Sequence, residues 1–185
     1  MTIPLLTAND LESQPPTVGA FDYSKKKSDF DNGAKSMVYD LFKVDGKFFN
    51  FVFDATLASG SIICTQFDGN ANFSMVVELN NDNDAKFLQQ LNDIVAKQIA
   101  DYDETWNPTT IVKDDSKVFL KLKYDNKKSL NLKPSTNVAI NLKKPMDTKL
   151  LQGQEVKVAC QLGFYINFAQ KTYGASLNPT EFIFN

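Results

Sequence analysis

The sequence predicts a mainly β fold: a small antiparallel barrel or sandwich with one long helix inserted into it. Three observations carry this. Short runs of alternating apolar and polar residues recur along the chain, the period-2 pattern of half-buried strands. One stretch alone, about residues 83–102, keeps the 3.6-residue apolar period of a long helix. No strand–helix–strand alternation is present, which argues against a doubly wound parallel sheet. At 185 residues the chain fits one domain and can bury a sizeable core, and no internal repeat divides it.

Residues 1–20 are polar and contain Pro15-Pro16, so they read as a flexible N-terminal arm ahead of a single domain over 21–185. Ser24–Lys27 is a lysine cluster in a solvated loop. Ser36–Lys43 and Lys47–Asp54 flank Val44-Asp45-Gly46, and Asp-Gly between aromatic and aliphatic runs signals a hairpin. In the second strand Phe49, Phe51 and Phe53 share one face, with Phe48, Asn50, Val52 and Asp54 on the other. Ser61–Phe67 reads as a further strand. Asn72–Leu79 places Phe73, Met75, Val77 and Leu79 inward and Asn72, Ser74, Val76 and Glu78 outward.

Asp82 or Asp84 then caps the helix, which runs to about Asp101. Leu88, Leu91, Val95, Ile99 and Tyr102 form its apolar stripe, with Phe87 and Ile94 at the margin and Lys86, Gln89, Gln90, Asp93 and Lys97 opposite. Trp106 and Asn107-Pro108 follow the helix. Lys117–Tyr124 places Val118, Leu120, Leu122 and Tyr124 on one face and Phe119, Lys121 and Lys123 on the other. Asp125–Lys128 is a turn before strands at Leu130–Lys133 and Asn137–Leu142. Gly153 opens a long strand from about Glu155, with Val156, Val158, Cys160 and Leu162 inward and Lys157, Ala159 and Gln161 outward. Gly163 marks a bend, as glycine does at a barrel corner. Lys171–Gly174 turns into a last strand ending at Phe184.

The net charge of −2 hides a split chain. Residues 117–185 carry eleven lysines and four acids; residues 1–116 carry nine lysines and eighteen acids. The basic part also reads as strands and holds Phe119, Tyr124, Phe164, Tyr165, Phe168, Tyr173, Phe182 and Phe184, the combination of lysines and strand-borne aromatics that a single-stranded nucleic-acid surface uses. Two absences narrow the chemistry. There is no histidine, the commonest general base and zinc ligand. There is no arginine, so bidentate forks onto guanine or phosphate are excluded and phosphate contacts are point charges from lysine.

Cys64 and Cys160 are too few for a disulfide framework, and Cys160 falls on the apolar side of its strand as a buried free thiol. No apolar run has membrane-spanning length and no secretory signal opens the chain, so an intracellular protein without a membrane partner is expected. Asp114-Asp115 and Asp29-x-Asp31 read as solvated turns rather than metal sites. No phosphate-binding glycine loop and no nucleophile elbow occurs, so neither an enzyme nor a cofactor is expected.

The residues singled out for nucleic acid are the outward triplet Phe119, Lys121 and Lys123, and a second group around the bend and turn: Tyr165, Phe168, Lys171 and Tyr173. Lys143, Lys144 and Lys157 complete the set as phosphate contacts. An aromatic among lysines on the wet face of a strand serves no core, whereas a base stacked on it is worth roughly 1–3 kcal/mol. The competing arrangement packs Phe119 under the helix and leaves the lysines as solubilising charges.

Val156–Ile166, with its Gly163-Phe164-Tyr165 step, followed by Lys171-Thr172-Tyr173-Gly174-Ala175-Ser176-Leu177, resembles the last two barrel strands of the single-stranded DNA-binding proteins of large DNA viruses. Those proteins are similar in turn to the T7-type phage single-stranded DNA-binding proteins. Upstream, the long helix, Trp106 and the Leu120-Lys121-Leu122-Lys123 strand follow the family's order, so the resemblance covers about residues 85–184. Tyr165 and Leu177 stand where the family has tryptophans, and the phage proteins' acidic tail has no counterpart at Glu181–Asn185.

The resemblance implies an oligonucleotide-binding (OB-fold) barrel that coats single-stranded DNA in viral or phage replication and recombination. It implies replication proteins (polymerase, helicase–primase) as partners, leaves a homo-oligomer open, and puts a viral protein in the host cytoplasm (virus factory) or nucleus. The rival classes are a virion structural or assembly protein and a β-barrel kept as a protein-interaction module.

Overall fold

The structure, a computed structural model, describes residues 3–19, 37–67, 70–99, 105–122, 132–134, 153–168 and 170–184, without the side chains of 37, 59–67, 70–74, 121–122, 132–134 and 184. In chain order its elements are β1 (Leu5–Leu6), α1 (Ala8–Ser13), β2 (Met37–Leu41), β3 (Asn50–Phe67), β4 (Asn70–Leu79), α2 (Asp82–Ile99), β5 (Asn107–Pro108), β6 (Val112–Lys113), β7 (Lys117–Leu122), β8 (Leu132–Pro134), β9 (Glu155–Asn167) and β10 (Thr172–Phe184). The protein is mainly β.

The strands form one sheet in the order β5-β10-β9-β3-β4-β7-β6, with β1 on β3, β2 on β9 and β8 on β10. Among the described residues this hydrogen-bonded path is open rather than closed, although β7 and β10 approach one another as the sheet curls. It is also mixed rather than antiparallel: β1 runs parallel to β3, and β5 and β8 run parallel to β10. All three parallel additions are short, and each lies along a longer strand whose long partners are antiparallel.

The alternation read from the sequence sets the faces. Phe49, Phe51 and Phe53 on and before β3, Met75 and Val77 on β4, Val118 and Leu120 on β7, and Val156, Val158, Cys160 and Leu162 on β9 are all buried in one core cluster. Phe51 packs on Phe53 and on Phe87 of α2, with ring centroids 5.4 and 5.0 Å apart. Burial pushes the Cys160 thiol pKa up, as expected for an inert apolar-site cysteine.

The Asp45-Gly46 turn is tight: both residues have positive φ (49° and 73°), and Val44 and Lys47 exchange backbone hydrogen bonds of 3.0 and 2.9 Å. The expected hairpin does not form around it. β2 and β3 instead lie end to end along the same edge of β9, Met37–Leu41 pairing with Asn167–Gly163 and Phe51–Thr56 with Cys160–Glu155. The turn closes a short excursion between two collinear segments. The strand expected at Ser61–Phe67 is the far end of β3, whose ladder with β4 is irregular between Leu57 and Ile62.

The N-terminal stretch is not an arm. Thr7 and Asp10 form a capping box that starts α1, with the Thr7 amide donating to Asp10 Oδ2 at 2.8 Å. These hydrogen bonds hold the Asp10 carboxyl pKa below its usual value. Ala8 and Leu11 enter the core, and Thr17 pairs with Lys43.

The cap of α2 is Asn81, whose side-chain oxygen accepts from the Asn83 amide at 2.9 Å; Asp82 and Asp84 sit in the first turn instead. The helix buries Leu88, Leu91, Val95 and Ile99 as expected, together with the marginal Phe87 and with Ala85, while Tyr102 lies outside the described residues. Asn92 ties it to the sheet: its amide donates to the Thr109 carbonyl at 2.7 Å, and its oxygen accepts from the Ala175 amide at 3.1 Å. That amide belongs to the stretch of β10 between the short strands β5 and β8, which has no other strand along that edge among the described residues.

Candidate nucleic-acid interface

Phe119 stands on the outer face of β7, 40% exposed between buried Val118 and Leu120. It does not pack under α2. The ammonium of Lys113, on β6, sits over its ring 4.7 Å from the centroid. β6 and β7 are joined by a turn in which Asp114 and Asp115 both take positive φ, a conformation that aspartate tolerates better than most residues. Lys117 is paired with Asp114 at 3.0 Å, which raises its pKa, and Glu78 lies directly across from Lys117 on β4. The acidic pair expected to be a turn is a turn, and Lys117 has acids for neighbours. Lys121 is the ladder partner of Ser74 on β4, its side chain not among those described, and Lys123 lies outside the described residues.

The second predicted group divides by face. Residues paired across the β9–β10 ladder share a face, so Tyr165 with Gly174 points outward, and Tyr173 with Ile166 points to the core. Tyr173 packs against the core cluster and cannot share a stacking surface with Tyr165. Phe168 is half-buried in an edge-on contact with Trp106, ring centroids 5.4 Å apart. Tyr165 is half-buried, with its hydroxyl hydrogen-bonded to that of Thr109. Lys171 occupies the β9–β10 turn with φ 51°, exposed to solvent. Lys157 is outward and exposed as expected, but stands 3.8 Å from Asp54 on β3. Lys143 and Lys144 lie outside the described residues.

Phe119 and Tyr165 are therefore not one constellation. Glu155, Thr56, Glu78 and Lys117 form one row across β9, β3, β4 and β7. Tyr165 lies on one side of this row and Phe119 on the other, on the order of 40 Å apart along the strands before curvature is counted. Phe119 and Tyr165 lie toward opposite ends of the sheet.

Two functional candidates escaped the sequence. Lys113 was hidden because its role depends on the β6–β7 turn folding it back onto Phe119. Tyr39 on β2 is outward and 49% exposed, next to buried Val38. The alternation around it was the available signal. β9 pairs through Gly163 without a register break. The glycine is a close-approach site, since an added Cβ would come within 2.7 Å of Tyr39 Cζ and 2.8 Å of Ser176 Oγ.

Among the described residues no group of three or more potential metal ligands occurs, and no helix is long and apolar enough to cross a membrane. No family model, no curated protein and no solved structure matches the chain.

Proposed function

We propose that the protein binds single-stranded DNA without sequence preference, as a non-enzymatic coat in replication or recombination. The observation that carries this reading is Phe119: an aromatic ring held open on the outer face of a strand, with a lysine ammonium over it. A base stacking on the ring displaces Lys113, which then lies beside the strand as a phosphate partner. Lys121 and Lys123 continue the same strand in sequence and add point charges along the backbone. The lack of arginine and histidine fits backbone tracking with stacking rather than base reading or catalysis. The proposal takes the curled sheet as an OB-type barrel. Its support is the central β9 flanked by β10 and β2/β3, with α2 seated through Asn92 on the β10 edge.

The test is a fluorescence-anisotropy titration of labelled oligo-dT at 50 and 200 mM salt, with RNA and duplex as competitors. Binding to single strands should weaken with salt, with a log–log slope of about −0.7 per phosphate contact. Phe119→Ala should weaken it about ten- to a hundredfold. Absence of binding at low salt, or equal binding of duplex, refutes the proposal.

One observation favours the assembly or protein-interaction reading. Ile3, Leu5 and Phe48 are exposed, and β1 places Leu5 beside Asn50 at the start of β3. That reading predicts concentration-dependent self-association or partner binding that Leu5→Lys abolishes, measured by sedimentation.

A further inference from the structure

The far end of β9 carries an arrangement that the lysine-and-Phe119 site does not use. Tyr39 of β2 and Tyr165 of β9 are direct register partners, both outward. The Tyr39 side chain leans across β9, so that its hydroxyl end rests on the bare Cα of Gly163, where a Cβ would collide with it. Beyond Gly163 the hydroxyl accepts a hydrogen bond from the Asn178 side-chain amide on β10. Ser176 Oγ, on the residue paired with Gly163, is buried at the same place. Tyr165 repeats the design one strand over. Its hydroxyl reaches that of Thr109 across β10 at Gly174, where a Cβ would run into Thr109 Oγ1.

Both rings are pinned at their hydroxyl ends before any ligand arrives, so little further ordering is needed on binding. Tyr39 still exposes about half its surface, 49%, because it is covered on the sheet side only. Gln161, Gly163, Ser176 and Asn178 next to it are all uncharged. An immobile, open aromatic plane bordered by amides suits a flat heteroaromatic ring better than it suits a phosphate or an aliphatic side chain.

We propose that Tyr39, with Tyr165 beside it, is a base-stacking platform: a nucleobase lies on Tyr39 with its polar edge toward the Asn178 and Gln161 amides. This rests on the single-strand reading and adds a second stacking site at the end of the sheet opposite Phe119. Stacking a base on the ring neutralises no phosphate, so its contribution is independent of salt.

The experiment uses the full chain and oligo-dT carrying 5-iododeoxyuridine, cross-linked with long-wavelength ultraviolet light and mapped by peptide mass spectrometry. Alongside it, anisotropy titrations compare wild type with Tyr39→Leu, Tyr39→Phe and Gly163→Ala, each checked for folding by thermal melting. Wild type should cross-link at Tyr39. Tyr39→Leu should lose about ten- to a hundredfold in affinity with the salt slope unchanged. Gly163→Ala should lose a similar factor, because the new methyl lifts the ring from its floor, and Tyr39→Phe should stay within about threefold, because the plane survives. Wild-type binding with cross-links only elsewhere, and full affinity in Tyr39→Leu and Gly163→Ala, overturns the platform while leaving the single-strand reading standing. No wild-type binding overturns both. Loss of self-association in Tyr39→Leu with unchanged oligonucleotide affinity makes Tyr39 a protein contact and also overturns the platform.

Discussion

Asp84 shows how one side chain can run against its surroundings. It is the one charged residue buried among the described side chains, and its pKa is pushed up to about 6, first by burial and then by the negative charge of Asp54. The folded protein therefore holds the Asp84 proton more tightly than the unfolded chain does. Stability should fall as pH rises from about 4 to about 6 and stay lower above that, by at most about 1.4 kcal/mol per pKa unit. Asp84→Asn should remove this limb and be the more stable protein at pH 7. Urea melts followed by Trp106 fluorescence at pH 4, 5, 6 and 7 check it; identical pH profiles for the two proteins would refute the assignment. The sequence offered Asp84 as a candidate cap of the helix. It could not show that the side chain faces inward, because that depends on how α2 rolls against the sheet. The same limit applied to Gly163, whose neighbour Tyr39 is more than a hundred positions away in the chain.

Elements were more legible than their pairings. The phenylalanine alternation of β3, the apolar face of α2 and the inward side of β9 follow from short-range periodicity, and all three bury as the pattern requires. The Asp45-Gly46 turn was also legible, since its backbone preference is local. Which strands it joins was not, because both β2 and β3 find β9 a better partner than each other. Asn92 is a further case. A polar residue at the helix margin reads as solvent-facing, yet it bonds both Thr109 and Ala175. Asn92→Ala should cost about 1–3 kcal/mol, because it leaves a partly buried carbonyl and a β10 amide without their partner. Equilibrium denaturation measures this, and a loss below about 0.5 kcal/mol would mean that water replaces the side chain.

For the whole molecule, the largest revision concerns the N-terminus. Its polar composition and paired prolines suggested an arm, but the Thr7–Asp10 capping box and Leu11 anchor it in the core. Leu11, 1% exposed, makes the claim quantitative: Leu11→Ala should destabilise the protein by about 2–5 kcal/mol, whereas an arm residue would change nothing measurable by thermal or chemical melting.

The charge split is the other molecular-scale feature. The described lysines of the basic part include Lys117 and Lys157, each beside an acid contributed by the first 116 residues, Asp114 and Asp54. The two halves of the chain interleave in one sheet, so the polarity of the sequence is not a polarity of the described surface.

By itself the sequence determined strands β2, β3, β4, β7, β9 and β10, the long helix and their buried faces; the strand expected at Asn137–Leu142 lies outside the described residues. These depend on residues two to four positions apart, where alternation and helical period act directly. Only the tertiary structure decided the open, mixed path of the sheet, the burial of the N-terminal segment and the separation of Phe119 from Tyr165. It also decided the resting of Tyr39 on Gly163. Each of these joins residues distant in the chain, and such contacts are selected by the competition among all strands for edges and all apolar faces for one core, which no local window of sequence contains.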